Sequence, residues 1–144
     1  MQNFYYIYGL KIDQMEILYL CPHCRGAINA KRNIILSVKS SDNQIGLALL
    51  HEEIGNYAVA LSPTIKVNTG DIVDFFCPIC HAELNTSKGD NLARFIRIDD
   101  TGSESSVIIS REYGERCTFT VDDRKKVKTY GESVRKYLDP EWFL

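Results

Sequence analysis

The chain has 144 residues, enough for one compact domain and short of two ordinary ones. Hydrophobic residues make up 44% and charged residues 25%, which excludes a disordered tail, a collagen-like fibre and a chain without material for a core. With 17 Lys and Arg against 19 Asp and Glu, bulk charge does not hold the protein on nucleic acid or an anionic membrane. The first ten residues, MQNFYYIYGL, contain no Lys or Arg and no unbroken aliphatic run, so the marks of a secretory signal are missing. No stretch approaches the roughly 18–20 apolar residues that span a bilayer. These readings point to a cytoplasmic protein with no membrane partner.

In chain order, an aromatic segment (Phe4, Tyr5, Tyr6, Tyr8) leads to an apolar run that enters Cys21-Pro22-His23-Cys24. Residues 33–39, 45–50 and 57–61 are short and rich in β-branched or aliphatic side chains, with turn chemistry at Ser40–Asn43 and Gly55-Asn56 between them. A second apolar run then enters Cys77-Pro78-Ile79-Cys80. Strand patterns follow at 93–98, 106–110 and 116–121, with a turn at Asp99–Ser103. Residues 131–138 (GESVRKYL) predict a short helix carrying Val134, Tyr137 and Leu138 on one face, ended by Asp139-Pro140. Trp142 and Phe143 close the chain. The terminal aromatics are expected to dock on the body of the protein.

Superposing the two C-P-x-C segments exposes a repeat. Ile17–Ala30 and Val73–Thr86 align at an offset of 56, matching both cysteines, the proline and Asn29 with Asn85. Lys11-Ile12-Asp13 resembles Lys66-Val67-Asn68, and residues 49–57 resemble residues 108–116, placing Glu53 and Gly55 opposite Glu112 and Gly114. Two copies are too few for a solenoid. The expected architecture is a single domain, 1–144, that is mainly β. Antiparallel hairpins form two pseudo-symmetric halves, a duplication at about 10–62 and 65–121, joined at one four-cysteine site and followed by a C-terminal tail and helix at 122–144.

Five cysteines, an odd number, argue against a disulfide framework. Four of them form the two pairs, a strong metal-ligand pattern, because thiolates two residues apart can aim at one ion across a tight turn. The proline in each pair sets φ and stiffens that turn. Zn2+ suits four tetrahedral thiolates, with one ion shared by Cys21, Cys24, Cys77 and Cys80. Iron in the same thiolates is the alternative, since geometry alone does not separate them. Four thiolates and one Zn2+ sum to a net charge of −2, so Arg25 and His81, which occupy equivalent positions, are candidate neighbouring cations.

Each pair, entered from an apolar strand, resembles the knuckles of zinc ribbons and, more distantly, of rubredoxins. The resemblance covers the two fourteen-residue segments. It implies metal binding and says little about function. In such families glycine often follows the second cysteine and lets N–H groups approach sulfur. Here Arg25 and His81 stand there, with Gly26 and Ala82 one step later.

Other candidates carry less chemistry. His23 lies between its cysteines, His51 matches Ser110 in the repeat, and Cys117 matches Ala58 as a small buried hydrophobe. No Ser/His/Asp order, phosphate-cradling loop or dinucleotide fingerprint is present. Residues 122–137 hold Arg124, Lys125, Lys126, Lys128, Arg135 and Lys136, a candidate surface for phosphate or an acidic partner, though such runs are commonly solvated faces. The leading expectation is a non-catalytic, zinc-stabilised β-domain that serves as a protein-interaction or regulatory module, with nucleic-acid binding through residues 124–136 as a variant. Rubredoxin-like electron transfer and thiol–disulfide exchange through the C-x-x-C pairs are the competing readings.

Overall fold

Short apolar runs broken by turn residues leave the backbone one economical way to satisfy its N–H and C=O groups, antiparallel pairing with a neighbour. The computed structural model, which describes residues 16–86 and 91–136, contains ten such strands among those residues. The first five are β1 (Leu18–Leu20), β2 (Asn29–Ala30), β3 (Asn33–Lys39), β4 (Ile45–His51) and β5 (Val59–Leu61). The others are β6 (Asp74–Phe76), β7 (Leu92–Ile98), β8 (Glu104–Ser110), β9 (Thr118–Asp122) and β10 (Val127–Tyr130). The fold is therefore mainly β, as the pattern predicts. Expected strands at 57–61, 93–98, 106–110 and 116–121 shift at their ends to 59–61, 92–98, 104–110 and 118–122.

Two five-stranded antiparallel sheets result. One runs β1-β7-β8-β9-β10; the other runs β2-β3-β4-β5, with β6 also paired to β3. The short strands leading to the cysteines cross over. β1 pairs with β7 through Leu18↔Ile98, Tyr19↔Arg97 and Leu20↔Ile96, while β6 pairs with β3 through Asp74↔Lys39, Phe75↔Val38 and Phe76↔Ser37. Each half of the chain thus lends its cysteine-bearing strand to the sheet of the other half. The registers agree throughout: Asn33↔His51 in β3–β4 corresponds to Leu92↔Ser110 in β7–β8, a shift of 59 on both strands. Ala48↔Leu61 and Val107↔Thr120 keep that same shift of 59.

The alternation of β3, with Ile34, Leu36 and Val38 inward, meets Ala93, Phe95 and Val107 of the other sheet in one shared core. Tyr19 closes it, its ring edge-on to Phe95 at 5.7 Å and its hydroxyl donating to the Glu52 carbonyl at 2.5 Å. The halves differ on their outer faces. In the β7–β8–β9 sheet Leu92, Ile108, Phe119 and Val121 form a second buried cluster, with Val127 and Val134 packed against it. The corresponding face of the other sheet leaves Ile45 69% and Leu47 47% exposed.

β10 has no counterpart in the predicted elements, and the described part of the segment predicted as a helix at 131–138 forms no α-helix. Glu132–Lys136 is a single 3-10 turn, and residues 137 and 138 lie outside the described residues. The turn is tied down by Ser133, whose N–H donates to the Arg116 carbonyl while its Oγ accepts the Arg116 N–H. Gly131 makes this possible with φ +94; a Cβ there would strike the Arg116 carbonyl oxygen and lie 2.5 Å from the Tyr57 hydroxyl. Gly131→Ala is expected to cost about 1–3 kcal/mol, measurable as a lower denaturant midpoint. The terminal aromatics, Lys11–Asp13 and Asp139-Pro140 lie outside the described residues. None of the described helices is long and apolar enough to cross a membrane.

Candidate metal centre

Each knuckle is a hydrogen-bonded reversal at the end of a crossed-over strand. Arg25 N–H donates to the Cys21 carbonyl and Cys21 N–H to the Gly26 carbonyl, at 2.9 and 3.0 Å. The second knuckle repeats this with His81 to Cys77 and Cys77 to Ala82, both at 2.9 Å. Closing the turn requires a left-handed residue after the second cysteine, and Arg25 (φ 59) and His81 (φ 67) adopt that conformation without being glycine. Asn29 and Asn85 brace the entering strands: Asn29 Oδ1 accepts the Tyr19 N–H at 2.9 Å and Asn85 Oδ1 accepts that of Phe75 at 3.4 Å. Their coincidence in the repeat was the only sequence signal of this role.

The knuckles meet. All four Sγ atoms lie within 4.8 Å of one another. Cys21 Sγ is 3.8 Å from Cys80 Sγ, and Cys24 Sγ is 3.9 Å from Cys77 Sγ. A tetrahedral ion with metal–sulfur bonds of about 2.3 Å needs sulfurs roughly 3.8 Å apart, so the four thiols fit one ion. Cys21 and Cys77 are buried, whereas Cys24 and Cys80 are exposed, so each half supplies one sulfur of each kind.

Backbone N–H groups converge on the sulfurs. Those of His23 and Cys24 reach Cys21 Sγ at 3.2 and 3.5 Å, and that of Gly26 reaches Cys24 Sγ at 3.3 Å. Those of Ile79 and Cys80 reach Cys77 Sγ at 3.3 and 3.4 Å. Close N–H contacts therefore form even though glycine is missing after the second cysteine. They stabilise thiolates, while burial opposes them. Burial pushes the Cys21 thiol up to about 12, against the N–H groups of Cys24 and His23. At Cys77 burial also acts upward, but the N–H groups of Cys80 and Ile79 and the Cys21 and Cys80 thiols outweigh it, and its pKa is lowered. A cation satisfies all four sulfurs at once, which hydrogen bonds alone do not.

The remaining candidates scatter. Arg25 is occupied by Glu104 at the start of β8, with Nη2 to Oε1 at 2.9 Å and both side chains about half exposed. That ion pair crosses from the first half to the second, and the guanidinium holds the Glu104 carboxyl below its ordinary range. His81 and His23 are exposed. His51, at the end of β4, accepts the Glu53 N–H through Nδ1 at 3.0 Å, and Cys117 is buried in the second cluster. Neither C-P-x-C pair opens a helix.

The basic run divides along a hairpin. Arg124, Lys125 and Lys126 form the exposed β9–β10 tip, where Asp122 Oδ1 accepts the N–H groups of Arg124 and Lys126, and Lys128 is exposed on β10. Arg135 and Lys136 follow in the 3-10 turn tied to Arg116, at the other end of β10. No protein-family model, curated protein or solved structure matches the chain.

Proposed function

We propose that Cys21, Cys24, Cys77 and Cys80 hold one structural zinc ion and that the protein is a non-catalytic β-domain whose role is to bind another protein. The observation that carries the metal reading is the near-tetrahedral spacing of four sulfurs, two from each half of the chain. Four protein ligands fill a tetrahedral ion and leave no position for a reacting water, which suits a clamp and not a catalyst. Zinc when bound supplies cross-linking alone, joining two knuckles that stand on strands of opposite sheets. The matching strand registers support descent of the two halves from one duplicated unit.

A protein partner suits the net charge of −2 and the apolar side chains exposed on β4 better than nucleic acid does. The split of the basic run between the two ends of β10 also favours this reading over a phosphate-binding footprint.

Iron electron transfer through the same thiolates is the second reading, favoured by the N–H groups at 3.2–3.5 Å from sulfur, which stabilise a charged tetrathiolate. Elemental analysis combined with a visible spectrum separates the two. The expected result is one zinc per chain and a colourless protein; stoichiometric iron with visible charge-transfer absorption would replace the first reading by the second. Titration with duplex DNA and with RNA at low salt tests the partner class, and tight, salt-sensitive binding abolished by Lys125→Glu would contradict a protein partner.

A further inference from the structure

Between the two sheets lies a cavity of about 310 Å3 that the metal centre does not use. Protein interiors carry few voids larger than a water, whereas ligand pockets begin at roughly 300 Å3. Its walls are mainly apolar and come from both halves, with Ala48, Leu50 and Leu61 on one side and Phe95, Val107 and Ile109 on the other. It therefore sits on the seam between the halves, at positions that correspond across the repeat: Ala48 with Val107 and Leu50 with Ile109, each shifted by 59.

At those same corresponding positions the symmetry breaks, with Glu52 on one side and Arg111 on the other, both lining the cavity. Arg111 Nη1 donates to the Val73 carbonyl at 3.0 Å and to Asp74 Oδ1 at 2.8 Å. Its Nε is buried and has no acceptor among the described residues. A buried N–H without a partner is costly, and on a cavity wall it calls for an acceptor from a guest. Asp74 already balances the Arg111 charge, and Glu52, Glu53, Glu112 and Glu115 outnumber Arg116 among the other lining residues, which disfavours an anion. We infer that this cavity binds a small, uncharged, mainly apolar molecule bearing one hydrogen-bond acceptor, a carbonyl compound of aromatic-ketone or ester type, with Arg111 Nε–H donating to that acceptor.

Two environment-sensitive probes test this on the full chain with its metal: 6-propionyl-2-dimethylaminonaphthalene, which carries a ketone, and N-phenyl-1-naphthylamine, which does not. The ketone probe is expected to bind one per chain, saturably and with blue-shifted emission. Ala48→Leu fills the buried wall, and Val59→Trp, at a 40% exposed lining position, narrows the opening. Each should weaken the probe at least tenfold while leaving a cooperative melt. Arg111→Met should weaken the ketone probe about tenfold and N-phenyl-1-naphthylamine less than twofold. Leu47→Ser, on the outer sheet face, should change neither.

Absence of saturable binding, wild-type affinity in both blocked variants, or loss of binding in Leu47→Ser would overturn the pocket. Equal weakening of both probes by Arg111→Met would overturn the acceptor assignment.

Discussion

Stripping the cation from the four-cysteine site is expected to unfold the protein or leave it without fixed tertiary packing. The reason is topological as much as chemical. Cys21 and Cys24 stand at the end of β1, which is paired in the sheet of the second half, and Cys77 and Cys80 at the end of β6, paired in the sheet of the first. Both strands are only three residues long, too short to hold their places by three pairings each. Without the ion two crossed strands come loose together, and the buried Cys21 and Cys77 lose the charge that makes their thiolates tolerable. Structural zinc contributes roughly 10–16 kcal/mol in small domains, against a typical total stability of about 5–15 kcal/mol.

Acid acts in the same direction. Burial raises the Cys21 thiol above its ordinary range, so a proton competes with the cation for this sulfur. Binding the ion therefore expels protons, and affinity falls as pH is lowered. Near-ultraviolet circular dichroism during titration with a strong chelator, at two pH values, checks both statements. The signal should collapse with release of one ion per chain, at lower chelator concentration in the more acidic buffer. Cys77→Ser should reproduce the collapse, whereas Cys117→Ser should keep the ion, because Cys117 lies in the other buried cluster.

Phe95→Ala is expected to give the largest loss among core substitutions that spare the metal. Phe95 is 2% exposed on β7, pairs with Val107, and takes the edge of Tyr19 from the crossed-over β1. Removing the ring deletes a contact that joins the two halves and enlarges a cavity already present at the seam. Buried Phe→Ala changes cost about 3–5 kcal/mol. In a chain of this size that corresponds to a fall of roughly 10–20 °C in melting temperature. Thermal denaturation of the metal-loaded protein measures it. Ile45→Ser, at a position 69% exposed, is the matched control and should shift the midpoint by no more than a degree or two.

The cysteines, the β class and most long strands were legible because their signals are local. Alternation in 33–39 is a property of seven consecutive side chains, and the turn residues that bound it lie within a few positions. The likeness of the two knuckles was legible in the shared surroundings of Cys21 and Cys77. The crossing of β1 and β6 was not, because Leu-Tyr-Leu and Asp-Phe-Phe carry no information about which long strand they will join.

The last strand was hidden by charge. Val127–Tyr130 follows a run of Asp, Arg and Lys, and its turn places Lys125 at φ 66 where glycine or asparagine would have marked a hairpin. The helix expected at 131–138 rested on the spacing of Val134, Tyr137 and Leu138. Within the described part of that segment, Val134 belongs to a short 3-10 turn and packs against the second buried cluster, and Ser133 ties the turn to Arg116 by a long-range contact that periodicity does not encode. Likewise the aliphatic pattern extends a strand back to Tyr57, but its hydroxyl meets Thr118 Oγ1 and the Tyr130 carbonyl, and pairing in β5 begins only at Val59.

X-ray absorption at the metal edge of the purified protein tests the joined-halves claim most directly. The expected spectrum fits one ion per chain with four sulfur neighbours at about 2.3 Å. A first shell of two sulfurs completed by nitrogen or oxygen would mean that the two knuckles do not share an ion, and the account of the fold as two halves clamped at one centre would be wrong.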